Sequence, residues 1–207
     1  MMSLSADLYV DRIDLARHVG EKTCEVCRVD SLEELLERLR SGRICEGKCV
    51  HWPRRRVEAF RAAMNAGEVL PQIPSLSTPR PSDIGLFDLG GATADSPLLV
   101  TGNSRLTHEV LLAVLSTDAE PKWLLSVDTE GHTVDMSLVY DTLTVEVIAA
   151  AVSTADFGVP AFTGRIVLPG LAESLAGPVS EKLSRKVDVG PICAAELPLF
   201  FASEWDV

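Results

Sequence analysis

The chain has 207 residues, a net charge of −11, 46% hydrophobic and 5% aromatic residues. That is enough for one domain of ordinary size plus a small appendage, it excludes global disorder, and the scarcity of aromatics suits an aliphatic α/β core. The acidity excludes general nucleic-acid binding because phosphate would be repelled, and no apolar run approaches the ~20 residues that span a bilayer.

No charged segment followed by a long apolar run opens the sequence, so a soluble, cytoplasmic protein with no membrane association is expected. Residues 1–52 carry Cys24, Cys27, Cys45 and Cys49, while the fifth cysteine, Cys193, stands alone. Clustered cysteines in a chain without an export signal read as metal ligands before disulfides. Between the two pairs, Ser31 and Glu34 form a capping box, and Leu32, Leu35, Leu36 and Leu39 follow at helical spacing up to Gly42. A short amphipathic helix is therefore expected between two thiol pairs that converge on one site. Thiolate chemistry there admits Zn²⁺ or an iron–sulfur cluster.

A second helix is expected to start at Pro53, bury Val57, Phe60 and Met64, and stop at Gly67. Its first turn carries Arg54, Arg55 and Arg56, which would offset the charge of an anionic cluster or form a solvated basic turn. The span 71–85, PQIPSLSTPRPSDIG, contains four prolines and reads as an extended linker. The predicted division is a four-cysteine domain over 1–67, a proline-rich linker over 68–85 and an α/β domain over 86–207.

In the last part, SPLLVT, WLLSVDT, RIVLPG and KVDVGP are short apolar runs separated by helical segments at 105–115, 143–155 and 171–184. This alternation predicts a Rossmann-like parallel sheet with flanking helices. Each strand ends in a glycine loop: Thr101 to Asn103, Asp128 to His132, Leu168 to Gly170, and Val189 to Pro191. Ligands of open α/β sheets bind at this edge, although glycines also serve ordinary turns. Neither a dinucleotide fingerprint nor a P-loop is present. Cys193 sits in the fourth loop and reads as a small buried apolar residue.

The blocks SPLLVTGNSRLTHEVLLAVL, PKWLLSVDTEGHTV, RIVLPGLAESLAG and VDVGPICAAELPLF, in this order, resemble the corrinoid-binding domain of the large (gamma) subunit of the corrinoid iron–sulfur protein, from the carbon monoxide dehydrogenase/acetyl-CoA synthase system. The resemblance covers about residues 86 to 202. It implies base-off cobalamin whose cobalt carries a methyl group between a methyltransferase and an acceptor enzyme. By match to the family's blocks, Thr101, Asn103, Leu106 and Thr107 would face the corrinoid from the first loop and helix. Thr129, Glu130 and Gly131 would contribute from the second loop, and Gly170, Gly190 and Pro191 through their backbone. Ser104, Arg105 and His108 depart from the family pattern. His108 and His132 read as ordinary loop or helix histidines, because the signature of histidine-ligated B12 domains is absent.

The family also begins with a four-cysteine segment that holds a [4Fe–4S] cluster. Laid on its pattern, the first, second and fourth ligands fall on Cys24, Cys27 and Cys49. The third falls on Leu32, and Cys45 stands in for it. The family's large subunit carries a TIM barrel between its two cofactor domains, and 207 residues leave no room for ~250 more. A minimal carrier is thus expected, served by a methyltransferase and by a methyl-acceptor or barrel-containing partner protein. Two other readings stand beside it: a redox protein that supplies electrons to a corrinoid enzyme, and a zinc-stabilised interaction module without cofactor.

Overall fold

The computed structural model describes residues 8–19, 29–41, 53–72, 78–159 and 161–205. Five strands form one sheet: β1 (Gly85–Leu89), β2 (Leu98–Gly102), β3 (Lys122–Val127), β4 (Ile166–Leu168) and β5 (Val187–Val189), in the order β1-β3-β2-β4-β5. β3, β2, β4 and β5 run parallel, and β1 pairs antiparallel with β3 at one edge. The four apolar runs thus become the parallel strands as expected. β1 was not expected. Its sequence, GLFDL, is short and follows a proline-rich stretch, so it lacks the apolar density that marks the others.

The helices are α1 (Leu15–His18), α2 (Leu32–Arg40), α3 (Arg54–Met64), α4 (Ala66–Val69), α5 (Arg105–Leu115), α6 (Val134–Val139), α7 (Val145–Thr154), α8 (Glu173–Leu183) and α9 (Leu197–Phe201). Local chemistry starts several of them. Ser31 Oγ accepts from Glu34 N at 3.1 Å, and Glu34 reaches back to accept from Asp30 N at 3.0 Å, so the capping box closes one residue earlier than usual. Thr144 Oγ1 caps α7 by accepting from Val147 N at 3.3 Å.

Alternation along the buried strands makes two cores. Leu99, Leu124 and Val167 face α5, α3 and α9, meeting Val110, Val114, Ala59 and Phe201. Leu98, Val100, Leu125 and Ile166 face the other way, onto Ile148 and Val152 of α7 and Val179 of α8. Helices on both faces of a mostly parallel sheet are what strands buried on both sides require. A third cluster joins Leu35 and Leu39 of α2 to Val57, Phe60 and Ala63 of α3, with Leu199. α3 therefore has two partners: it carries the cysteine-proximal helix α2 on one side and packs into the sheet's own core through Ala59 on the other.

Lys122, at the start of β3, is 2% exposed. It pairs with Asp118, donates to the Glu120 carbonyl at 3.1 Å, and lies 4.8 Å from the Phe201 ring centroid and 5.3 Å from that of Trp205. A buried ammonium is tolerable only with such compensation. The arginines of α3 also have partners: Arg54 with Glu58, Arg55 with Glu120, and Arg56 with the His18 carbonyl.

Within the proline-rich stretch, Ser82 N donates to Asn103 O at 2.6 Å and Arg105 N to Arg80 O at 2.9 Å, so residues 80–82 lie along the loop after β2. The described residues include no helix long and apolar enough to cross a membrane.

Candidate functional site

In chain order the parallel strands read second, first, third, fourth across the sheet, so the chain switches direction between β2 and β4. The connections out of β2 and β4 leave on opposite faces, and a crevice opens at the carboxyl ends of these strands. A cavity of about 270 Å³ lies there. Its walls are largely apolar, with Leu106, Val110 and Leu171 among them, and Thr101, Thr133 and Asp135 add polar groups.

The structure brings together part of the predicted set. Thr101, Leu106, Thr107, Gly190 and Pro191 line the cavity; Asn103, Thr129, Glu130, Gly131 and Gly170 do not. The second group builds the loops. Asn103 is 2% exposed, and its Oδ1 accepts from Thr129 N at 2.8 Å and Gly131 N at 3.0 Å. Its own backbone N donates to Thr129 Oγ1 at 3.2 Å. Asn103 thus clips the β2 loop to the β3 loop, with residues 80–82 on its carbonyl. Gly131 has φ +77°, and a Cβ there would lie 2.5 Å from Pro81 N. Gly170 N donates to Pro191 O at 3.0 Å, and a Cβ at Gly170 would lie 2.7 Å from Ile192 N. These glycines are required by loops that touch one another, which leaves the crevice with a stitched floor. Glu130 sits exposed at the turn, its N–H donating to Asp128 Oδ1 at 3.0 Å.

Thr101 differs from its neighbours. It is 2% exposed, yet its Oγ1 has no hydrogen-bond partner. Among the described residues the other buried side-chain atoms without a partner are Glu58 Oε2 and Trp205 Nε1, and neither residue lines the cavity. A buried hydroxyl left unpaired is costly unless something supplies the bond.

Pro169, inside the third glycine loop, also lines the cavity; sequence reasoning missed Thr133, Asp135, Leu171 and Ile192, which line it from the same loops. Thr133 donates to Asp135 Oδ1 at 2.5 Å. These positions adjoin the glycine motifs, so extending each motif by a helical turn would have found them. It also missed Leu8 and Tyr9, for which the sequence carries no signal because they arrive from far along the chain.

Neither histidine lines the cavity. His108 is buried on the inner face of α5, with Nε2 3.0 Å from Ser126 Oγ and Phe87 edge-on at 6.2 Å. Burial holds its imidazole below the usual 6.5, against the opposing pull of a hydrogen bond to the Gly102 backbone and the charge of Asp83. His132 Nδ1 is 2.9 Å from the Thr129 carbonyl, and its ring lies 4.9 Å from that of Tyr140. Cys193 is buried, as its composition suggested, and its thiol donates to the Leu8 carbonyl at 3.0 Å. The predicted ligands Cys24, Cys27, Cys45 and Cys49 lie outside the described residues.

Comparison with known proteins agrees with the crevice's setting in the chain. Residues 66–201 match the family model described as CdhD, CO dehydrogenase/acetyl-CoA synthase delta subunit. The chain is 34% identical over 130 residues to the acetyl-CoA decarbonylase/synthase complex subunit gamma of Methanosarcina acetivorans, covering 62% of this chain and 28% of that protein. It is 30% identical over 126 residues to the subunit gamma of Methanopyrus kandleri, covering 61% and 27%. It is 30% identical over 115 residues to the corrinoid/iron-sulfur protein large subunit of Moorella thermoacetica, covering 56% and 26%. The chain thus spans little more than a quarter of the length of these relatives. Since the matched residues run from α4 to the end of α9 and include every strand and all of the crevice's lining except Leu8 and Tyr9, the chain belongs to the CO dehydrogenase/acetyl-CoA synthase delta subunit (CdhD) family.

Proposed function

We propose that the crevice binds a corrinoid and that the protein is a corrinoid iron–sulfur protein, carrying a methyl group on cobalt between a methyltransferase and an acceptor enzyme. The observation that carries the reading is the unpartnered Thr101 Oγ1 at an apolar crevice on the switch point. The name of the Moorella thermoacetica relative, a corrinoid/iron-sulfur protein, supports the same reading. The cobalt of the bound corrinoid supplies the chemistry; the protein supplies binding, orientation and exclusion of water.

The residues present fit such a ligand. Leu106, Val110 and Leu171 offer an apolar wall to a macrocycle. Thr101 and Thr107 offer hydroxyls, and Asp135 a carboxylate that accepts from amide N–H groups. Gly190 and Pro191 line the cavity as well and would offer backbone groups. Asn103, Thr129, Gly131 and Gly170 act as positioning residues that hold the loops. Glu130 would reach a ligand only from the exposed side. Cys24, Cys27, Cys45 and Cys49 would hold a [4Fe–4S] cluster within the segment 1–67, giving the carrier a source of low-potential electrons. The methyltransferase and the acceptor, or a barrel-containing partner, would dock on the corrinoid face.

The test is Thr101→Val. This nearly isosteric change removes the unpaired hydroxyl, so stability should be unchanged or greater by up to about 1 kcal/mol. Affinity for hydroxocobalamin, followed by absorbance, should fall about tenfold, because the ligand loses one hydrogen bond. Unchanged affinity would remove Thr101 from the site.

A further inference from the structure

The crevice is partly filled by the chain itself. Leu8 and Tyr9 line it, and residues 8–19 run from it to His18, which meets Glu196 and Arg56. At the cavity end Leu8 and Tyr9 pack against the sheet's first core, the Cys193 thiol donates to Leu8 O at 3.0 Å, and Tyr9 OH donates to Asp135 Oδ2 at 3.4 Å. At the far end His18 is tied on two sides. His18 Nε2 lies 2.7 Å from Glu196 Oε1, Arg56 donates to the His18 carbonyl at 2.7 Å, and Ile13 packs against two of the cores.

Two further observations concern the cavity end. Tyr9 has φ +58°, a left-handed conformation that a side chain with a Cβ adopts at a cost. The space left beside it is about 270 Å³. Pockets for drug-sized ligands run to roughly 300–1,000 Å³, and a corrinoid with its amide side chains is larger than such a ligand. Tyr9 also occupies an oxygen of Asp135, the carboxylate on the cavity wall.

We propose that residues 8–12 are a displaceable plug: they close the crevice when no cofactor is bound and leave it when a corrinoid enters, with Ile13 and His18 as the anchor that stays. Departure relaxes the Tyr9 backbone, widens the cavity and frees Asp135 to accept from an amide of the incoming ligand. The plug's identity as a competitor for corrinoid rests on the function proposed above; its covering of an apolar crevice does not.

The experiment compares the full chain, a chain lacking residues 1–12, and the full-length Tyr9→Ala variant. Far-UV circular dichroism checks that each folds. Without ligand, fluorescence of the apolar dye ANS should rise several-fold on deletion and less for Tyr9→Ala. Hydroxocobalamin should bind the deleted chain at least tenfold more tightly than the full chain. In the full chain, hydrogen exchange of the amides of residues 8–12 should accelerate when hydroxocobalamin is added. A rise in ANS fluorescence with no cobalamin bound by any chain upholds the plug and removes the corrinoid reading. Unchanged ANS fluorescence overturns the plug. So does cobalamin affinity that is unchanged or weaker after deletion, the weaker case making the strap part of the binding site. If the deleted chain does not fold, Tyr9→Ala carries the same two expectations.

Discussion

Asn103 shapes the crevice without lining it. Its side-chain oxygen is the acceptor for two buried N–H groups, those of Thr129 and Gly131. Asn103→Ala should therefore strand both donors, at about 1–3 kcal/mol each, and lower stability by about 2–5 kcal/mol in a denaturant titration. A loss under 1 kcal/mol would mean that the two loops hold without the clip. His108 gives a pH dependence of definite sign. Burial lowers its folded pKa below 6.5, so below that pH the unfolded chain binds the proton more readily than the folded one. The stability that the neutral imidazole allows is present above pH 6.5 and is lost as pH falls toward and through the lowered value. The slope is at most about 1.4 kcal/mol per pH unit. His108→Gln should flatten the stability profile between about pH 6.5 and 5; an unchanged profile would remove the effect from His108. Thr101 was legible from its motif, but its distinguishing feature, a buried hydroxyl without a partner, depends on the strands and helices around it and has no sequence trace.

The elements were readable where burial on both faces wrote itself into composition. Leu98 to Val100 and, apart from Ser126, Trp123 to Val127 are apolar and bounded by glycine loops, so β2 and β3 announce themselves. β1 sits at an edge, its residues are half-exposed, and the pattern fades. α6 is six residues long, too short for a helical period to register. The glycine loops were recognised, but not the contacts that demand glycine. Gly131 and Gly177 separate the two kinds. A methyl at Gly131 meets Pro81 and Arg80 and must sit at φ +77°, where a left-handed residue costs ~1–2 kcal/mol before any clash. Gly177 lies exposed in α8 with nothing within 4 Å of an added Cβ. Gly131→Ala should cost about 2 kcal/mol or more and loosen the protection of residues 78–82 in hydrogen exchange. Gly177→Ala gains helix propensity but sets a Cβ against the ring of Pro178, so it should change stability by less than ~1 kcal/mol. Equal effects from the two would contradict the assignment of Gly131 to loop packing.

At the scale of the whole molecule, α3 joins the parts. It was grouped by sequence with the cysteines, yet Ala59 packs in the same core as Leu99 and Leu124 while Val57 and Phe60 hold α2. Sequence order could not show this, because one amphipathic face is visible as a period and a second, formed by a small residue such as Ala59, is not. The consequence is that the segment leading from the cysteines is built onto the α/β unit through a packed helix. In the proposed carrier, the element next to the cluster would be fixed to the domain that holds the corrinoid. The proposed function pairs a corrinoid with an iron–sulfur cluster in this one chain. Its most direct test is anaerobic purification in the presence of cobalamin, followed by quantitation of cobalt, iron and zinc. Cobalt equimolar with the chain is expected, with iron in the proportion of a [4Fe–4S] cluster; zinc with neither cobalt nor iron would rule the pairing out.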